Sequence, residues 1–218
     1  KKFPGVKALD KVKFDLFSGE VHALVGENGA GKSTLMKVLT GVYDQENGNI
    51  YYKGEKVNIH NPRIAQNLGI SIIYQEFNLI PHLNIAQNVF IGREKYRTHK
   101  IMLDEKEMND KTRELLDLIH MNLNPETLVN ELTVAEQQMV EIVKALSYNS
   151  EVLIMDEPTA ALTDSEIEEL FSIIRRLRDQ GVGVIYISHR LEELNQITDR
   201  ITVLRDGQYI DTVLTEEA

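Results

Sequence analysis

The 218-residue sequence contains no cysteine. That excludes disulfide frameworks, thiol nucleophiles and cysteine-ligated metals, and it is compatible with a reducing compartment. No apolar run approaches the roughly 20 residues that cross a bilayer, so a membrane role has to work through partner proteins. A basic excess is also missing: 24 Lys and Arg stand against 34 Asp and Glu, a net charge of -10. Such a balance disfavours nucleic acid and anionic lipid surfaces. The densest basic cluster, Arg175, Arg176 and Arg178, shares a segment with Leu170, Ile173, Ile174 and Leu177 at helical spacing. It reads as a solvated helix face paired with Glu168, Glu169 and Asp179. There is no internal repeat or low-complexity tract, and the chain opens at Lys1 without a methionine, as expected of a processed or truncated chain.

With 42% hydrophobic residues the chain can bury a substantial core. Val12 to Phe17 alternates and predicts a strand, and Val21 to Val25 predicts a buried one. Asn49 to Val57, broken at Lys53-Gly54, predicts a short hairpin, and Ile70 to Tyr74 another buried strand. From about 85 to 147 the pattern turns helical. Asp104 and Glu107 cap a helix with Met108, Leu115, Leu116 and Ile119, and a loop at Asn124-Pro125 precedes a second with Met139, Ile142, Val143 and Leu146. Strands then return at Val152 to Met155, Val182 to Ile187, Ile201 to Leu204 and Gln208 to Val213. Between them fall a helix over 164–179, opened by a Thr163 to Glu166 capping box, and a short helix after His189. Buried strands alternating with helices imply a mostly parallel sheet whose ligand binds at its carboxyl edge.

The sharpest motif is Gly26-Glu27-Asn28-Gly29-Ala30-Gly31-Lys32-Ser33, between the strand at Val21 to Val25 and a helix-compatible run from Thr34 to Thr40. Spacing and context are those of a P-loop. The glycines let successive N–H groups point inward at phosphate oxygens, the helix start adds donors and dipole, Lys32 supplies charge for the β- and γ-phosphates, and the Ser33 hydroxyl is placed for Mg²⁺. Asp156 and Glu157, followed by Pro158-Thr159, end the Val152 to Met155 strand. Adjacent carboxylates there either cap a turn or meet a positive partner. With a P-loop in the same sheet, Asp156 is a candidate metal holder and Glu157 a candidate for orienting or deprotonating a water. Gln75 and His189, each just beyond a strand, could reach the same edge, although either alone would be unremarked. The other histidines, His22, His60, His82, His99 and His120, have no metal-ligand spacing and read as ordinary residues.

Taken in order, the P-loop, Gln75, Leu132-Thr133-Val134-Ala135-Glu136-Gln137, Asp156 to Thr159, Ala160-Ala161-Leu162 and His189 resemble the ATP-binding-cassette family over nearly the whole chain. The resemblance implies an α/β P-loop NTPase with a mostly parallel sheet, an antiparallel β subdomain and an inserted helical subdomain. It divides residues 1–218, one nucleotide-binding domain, into a core of about 1–84 and 148–218 and an insertion of about 85–147. ATP and Mg²⁺ are the implied ligands. Gly26 through Thr34 would hold the nucleotide and Phe3 would stack on the adenine, unless Phe3 only anchors the first strand. Ser33, Gln75 and Asp156 would hold the metal, and Lys32, Gln75, Glu157 and His189 would serve hydrolysis.

The family signature usually reads Leu-Ser-Gly-Gly-Gln. In this sequence Thr133 keeps the hydroxyl, while Val134 and Ala135 replace both glycines. That variant, with Phe3-Pro4-Gly5-Val6 and Leu162-Thr163, is similar to the first half of tandem ATPases of bacterial monosaccharide importers of the ribose, galactoside, xylose and arabinose type. The resemblance implies that residues 132–137 face a second cassette, the carboxy-terminal half of a longer chain. It also implies a transmembrane sugar permease, an indirect link to a sugar-binding protein, no nucleic acid, and a peripheral place at the cytoplasmic face of the membrane. A soluble translation-factor type of cassette and a non-hydrolysing dimerisation module remain the alternative readings.

Overall fold

Strands that are apolar on both faces have to be covered on both sides, and this decides the architecture. In the computed structural model, which describes residues 1–96 and 102–217, the central sheet has six strands: β3 (Val21–Val25), β6 (Ile70–Ile73), β7 (Val152–Asp156), β8 (Gly183–Ile187), β9 (Arg200–Arg205) and β10 (Gln208–Leu214). Their order is β10-β9-β3-β8-β7-β6, all parallel except β10, which lies antiparallel on β9. Two antiparallel ribbons stand apart from it, β1 (Lys2–Phe3) with β2 (Val6–Lys7), and β4 (Ile50–Tyr52) with β5 (Glu55–Val57).

Alternation along each strand divides the core in two. Val21, Ala23, Leu153, Met155, Val184 and Tyr186 face one layer; Leu24, Ile154, Ile185 and Ile187 face the other. The first layer is closed by α6 (Asp164–Asp179), α7 (Leu191–Ile197) and α-helices that lie, among the described residues, between β6 and β7: α3 (Ile85–Phe90), α4 (Glu105–Leu118) and α5 (Val134–Leu146). The second is closed by α1 (Lys32–Leu39), α2 (Pro62–Asn67) and the β4–β5 ribbon. On α6, Ile167, Leu170, Phe171, Ile173, Ile174 and Leu177 are all buried, each contributing roughly 1.5–3 kcal/mol relative to exposure. The inserted helices share this core with the sheet.

Two expectations need correction, and two helices have to be added. Val12 to Phe17 forms no strand: Val12, Phe14 and Leu16 alternate inward and pack on the second core layer, but the segment has no ladder partner. Period-two burial reports which side chains are covered, and pairing needs a free strand edge as well. The arginines of α6 are not paired with Glu168 and Glu169. Arg178 meets Asp179 at 3.1 Å and Asp199 at 3.8 Å, Arg176 bonds Ser172 Oγ at 2.9 Å, and Arg175 reaches the Gln196 carbonyl at 3.3 Å. Glu168 and Glu169 stand six to eight residues from Arg175 and Arg176, outside the three- and four-residue spacing that brings helical side chains together. The helices α2 and α3, each opened by an asparagine cap, were not anticipated as separate elements.

His22 is buried, held between the Asp15 carbonyl and Thr202 Oγ1 at 2.7 Å each and stacked on Phe14, so it is a core residue. His99 lies outside the described residues.

Candidate functional site

Because β3, β6, β7 and β8 run parallel, the residues that follow them emerge at one rim: Gly26 after β3, Gln75 after β6, Glu157 after β7, and Ser188-His189 after β8. A cavity of about 470 Å³ opens there, bordered by Val6 to Ala8, Asn28 to Thr34, Gln75, Asp156, Glu157, Asp206 and Gly207. A second, of about 460 Å³, adjoins it across Gly26 to Asn28, Gln75, Glu157 and His189. Both lie within the size range usual for small-molecule sites, about 300–1,000 Å³.

The loop between β3 and α1 owes its shape to glycine. Gly26 has φ of 155° and Gly31 a φ of 103°, and a Cβ on Gly31 would stand 2.8 Å from the Ala8 carbonyl oxygen. Gly31 also begins α1 with no side-chain cap, and no acidic residue occupies the first turn. The first donors of that helix are therefore left for an outside acceptor. Lys32 Nζ lies across the loop, donating to the Gly26 carbonyl at 2.6 Å and the Glu27 carbonyl at 3.2 Å.

Support comes from the β9–β10 hairpin, whose role the sequence did not reveal. Asp206 and Gly207 both have positive φ, 49° and 74°, as a tight hairpin turn requires. Gly207 N donates to the Ala30 carbonyl at 3.1 Å, and its own carbonyl accepts from Asp10 N at 2.6 Å. A Cβ on Gly207 would come within 2.6 Å of the Ala8 carbonyl oxygen. The Asp-Gly pair was a legible turn signal; its docking under the phosphate loop was not.

Opposite the loop, burial raises the Asp156 carboxyl above the usual carboxylate range, and the neighbouring Glu157 charge adds to this, while Lys32 and Lys37 pull it back. Glu157 has a positive φ of 49°, a conformation that costs on the order of 1–3 kcal/mol for a residue with a side chain. It is locked by its N–H donating to the Ile187 carbonyl at 2.9 Å, and its Oε1 meets His189 Nδ1 at 3.2 Å. Gln75 borders both cavities. The chain just beyond it is fastened to α5: Asn78 N donates to Glu141 Oε1 at 2.6 Å, and Lys144 Nζ donates to the Asn78 carbonyl at 2.7 Å.

Two groups of expected residues stand outside the cavities. The Phe3 ring meets Tyr43 edge-on at 5.2 Å, and exposed Val6, on the same ribbon, borders the cavity instead. None of Leu132 to Gln137 lines either cavity. Thr133 caps α5 through a closed capping box, with Glu136 N donating to Thr133 Oγ1 at 3.2 Å and Thr133 N to Glu136 Oε2 at 2.8 Å. Val134 is exposed and Ala135 buried.

Among the described residues no group of three or more His, Cys, Asp or Glu is arranged to hold a metal. Among the hydroxyls, amides and carboxylates at the rim, Ser33, Gln75 and Asp156 offer one of each beside the open loop donors. This all-oxygen set fits a hard cation that arrives with phosphate oxygens as further ligands. Sheet, loop and acids together define a P-loop α/β cassette.

The ABC transporter family matches residues 9–160, and the chain belongs to that family. It is 59% identical over 98% of its length to a Burkholderia ambifaria protein named "Putative ribose/galactose/methyl galactoside import ATP-binding protein 3", covering 42% of that protein. It is 53% identical over 98% of its length to "Ribose import ATP-binding protein RbsA 2" of Streptomyces coelicolor, covering 41% of it. The chain thus spans about two fifths of the curated relatives it matches. Among solved structures, a nucleotide-free ATP-binding cassette from an ABC transporter superposes over 100% of this chain and 89% of its own with TM-score 0.89 at 27% identity. The ADP conformation of the MJ1267 cassette gives TM-score 0.87 at 26% identity, with 100% and 89% covered.

Proposed function

We propose that this chain is a nucleotide-binding domain, with core and helical insertion divided as the sequence suggests, that binds and hydrolyses ATP to drive import of a monosaccharide. The observation that carries the reading is the uncapped start of α1 facing Asp156 and Glu157 across one cavity. Loop N–H groups from Gly26 through Thr34 take the phosphates, and Lys32 leaves the loop carbonyls to neutralise the terminal ones. Val6 offers apolar surface to the base on the cavity side, with Phe3 behind it on the same ribbon. Ser33, Gln75 and Asp156 would hold Mg²⁺, which when bound draws charge from the phosphate oxygens.

Glu157 accepts a proton from the attacking water as its oxygen bonds to the γ-phosphorus and the bond to the ADP oxygen breaks, giving ADP and phosphate. His189, in contact with Glu157, fixes that carboxylate and reaches toward the terminal phosphate. Gln75 carries the occupancy of the site to the inserted helices through Asn78, Glu141 and Lys144. The altered signature at Leu132 to Gln137 faces a second cassette, so two sites of unequal competence form between the pair. The helical insertion presses on a transmembrane permease, served in turn by a sugar-binding protein, which places the chain peripherally at the cytoplasmic face of the membrane. Among the described residues no helix is long and apolar enough to cross a membrane. Calorimetric titration with MgATP tests the reading. Micromolar-range binding that Lys32→Ala weakens about 100-fold or more supports it, and binding indifferent to that substitution overturns it.

A further inference from the structure

Glu193, on α7, is a carboxylate only 5% exposed, and no part of the phosphate loop or the metal-holding set accounts for it. Four donors converge on it. Thr159 Oγ1 and Arg190 Nη1 each donate to Oε1 at 2.8 Å, and Tyr186 Oη and Ser188 Oγ each donate to Oε2 at 2.9 Å. A carboxylate has about four lone-pair sites, so its acceptor capacity is filled. A buried charge without partners is strongly unfavourable, and this set of donors offsets its lost hydration. Burial and the facing carboxylate push the Tyr186 hydroxyl above its ordinary range, which keeps it a proton donor.

The donors come from both loops that carry the reacting pair. Thr159 follows Glu157 by two residues, and Ser188 and Arg190 flank His189, with Arg190 N also donating to Ser188 Oγ at 3.0 Å. His189 itself is 68% exposed at its side chain, and Glu157 sits in a strained left-handed conformation. His189 therefore has little packing of its own to hold it, and the Glu157 backbone carries a conformational cost that its surroundings have to offset.

We propose that Glu193 is a positioning residue: it clasps the turn after β7 to the loop after β8 and thereby sets the contact between Glu157 and His189. The geometry stands by itself, and the consequence for hydrolysis rests on the function proposed above.

The test uses Glu193→Gln, with Thr159→Val and Tyr186→Phe as milder variants should the first not fold. The first readout is the His189 ring signal in NMR spectra of the nucleotide-free chain, with exposed His60 as internal control. We expect the His189 signal to move in each folded variant while that of His60 stays. The second readout is single-turnover ATP hydrolysis with nucleotide affinity measured alongside. The rate constant should fall about tenfold, part of the roughly 10²–10⁴ that a positioned proton-transfer group supplies, with ATP affinity within about twofold. His189→Ala combined with Glu193→Gln should be no slower than His189→Ala alone, because residues acting as one unit are not additive. An unmoved His189 signal, or losses that multiply in the double variant, overturns the proposal. A chain that binds no ATP defeats the proposed function, and the NMR readout still decides the positioning role.

Discussion

Two loop-to-helix junctions in this chain carry conspicuous polar motifs, Gly26 to Ser33 entering α1 and Leu132 to Gln137 entering α5, and they end in opposite ways. At α1 the N-cap is a glycine in the left-handed region, with no side-chain cap and no acid in the first turn. At α5 the N-cap is Thr133, whose hydroxyl and N–H are both engaged by Glu136. A helix start is a site for an anion only while its donors are open, and a capping carboxylate both fills them and repels negative charge. The first junction gives up local stability for a ligand. The second keeps that stability and presents exposed Val134 to whatever docks there.

The contrast is broken most severely at the open junction. Lys32→Ala removes the cation that the loop carbonyls now hold in reserve, and MgATP affinity measured by calorimetry should fall about 100-fold or more, near 2.8 kcal/mol. Next in size is the opposite manoeuvre. Val134→Gly with Ala135→Gly, made in a Glu157→Gln background to arrest hydrolysis, should promote ATP-dependent dimerisation seen by light scattering. Two glycines in the first turn of α5 cost about 1 kcal/mol each in helix stability, and an unchanged oligomeric state would show that the altered signature does not limit pairing.

Smaller effects should separate the acids of the two regions. Asp156 has its carboxyl raised above the ordinary 3.8 by burial and then by Glu157. The fold therefore favours its protonated form: that stabilising contribution is complete below 3.8 and is lost as pH climbs through the raised value. At neutral pH the carboxylate is a cost, so Asp156→Asn should raise the melting temperature of the nucleotide-free chain while removing Mg²⁺-dependent hydrolysis. Glu136→Ala should do the reverse in kind, lowering thermal stability by about 0.3–1.5 kcal/mol through the lost box and leaving MgATP affinity intact. His22 supplies an independent acid limb. Burial lowers its pKa from 6.5, so stability present above pH 6.5 should decline as the solution is acidified below it, and His22→Gln should flatten that part of the curve.

Much of the sheet and most of the rim were legible in the sequence. Apolar runs marked β3, β6, β7 and β8, because a strand covered on both faces has little choice of residue. The Thr163 to Glu166 box marked the start of α6, and the glycine spacing marked the loop. Val12 to Phe17 misled, since alternation there records burial without pairing. The β1–β2 ribbon sets the Phe3 ring edge-on to Tyr43 and puts Val6 on the cavity lining, a placement that residue types alone did not show. The Asp206-Gly207 pair, a turn-forming dipeptide, went unread, and its location was out of reach because nothing local says which surface a hairpin will meet.

Local spacing was enough to mark the phosphate loop, the paired strand-end acids and the family they belong to, because each depends on residue types a few positions apart. The folded chain was needed to bring Gln75, Glu157 and His189, from three separate strand ends, to one rim. It alone showed that the β9–β10 turn props the loop and that Glu193 gathers donors from both reacting segments. The physical reason is that strand order and helix docking are settled by the burial of two whole core layers, a property of the packed chain that no short stretch of it encodes.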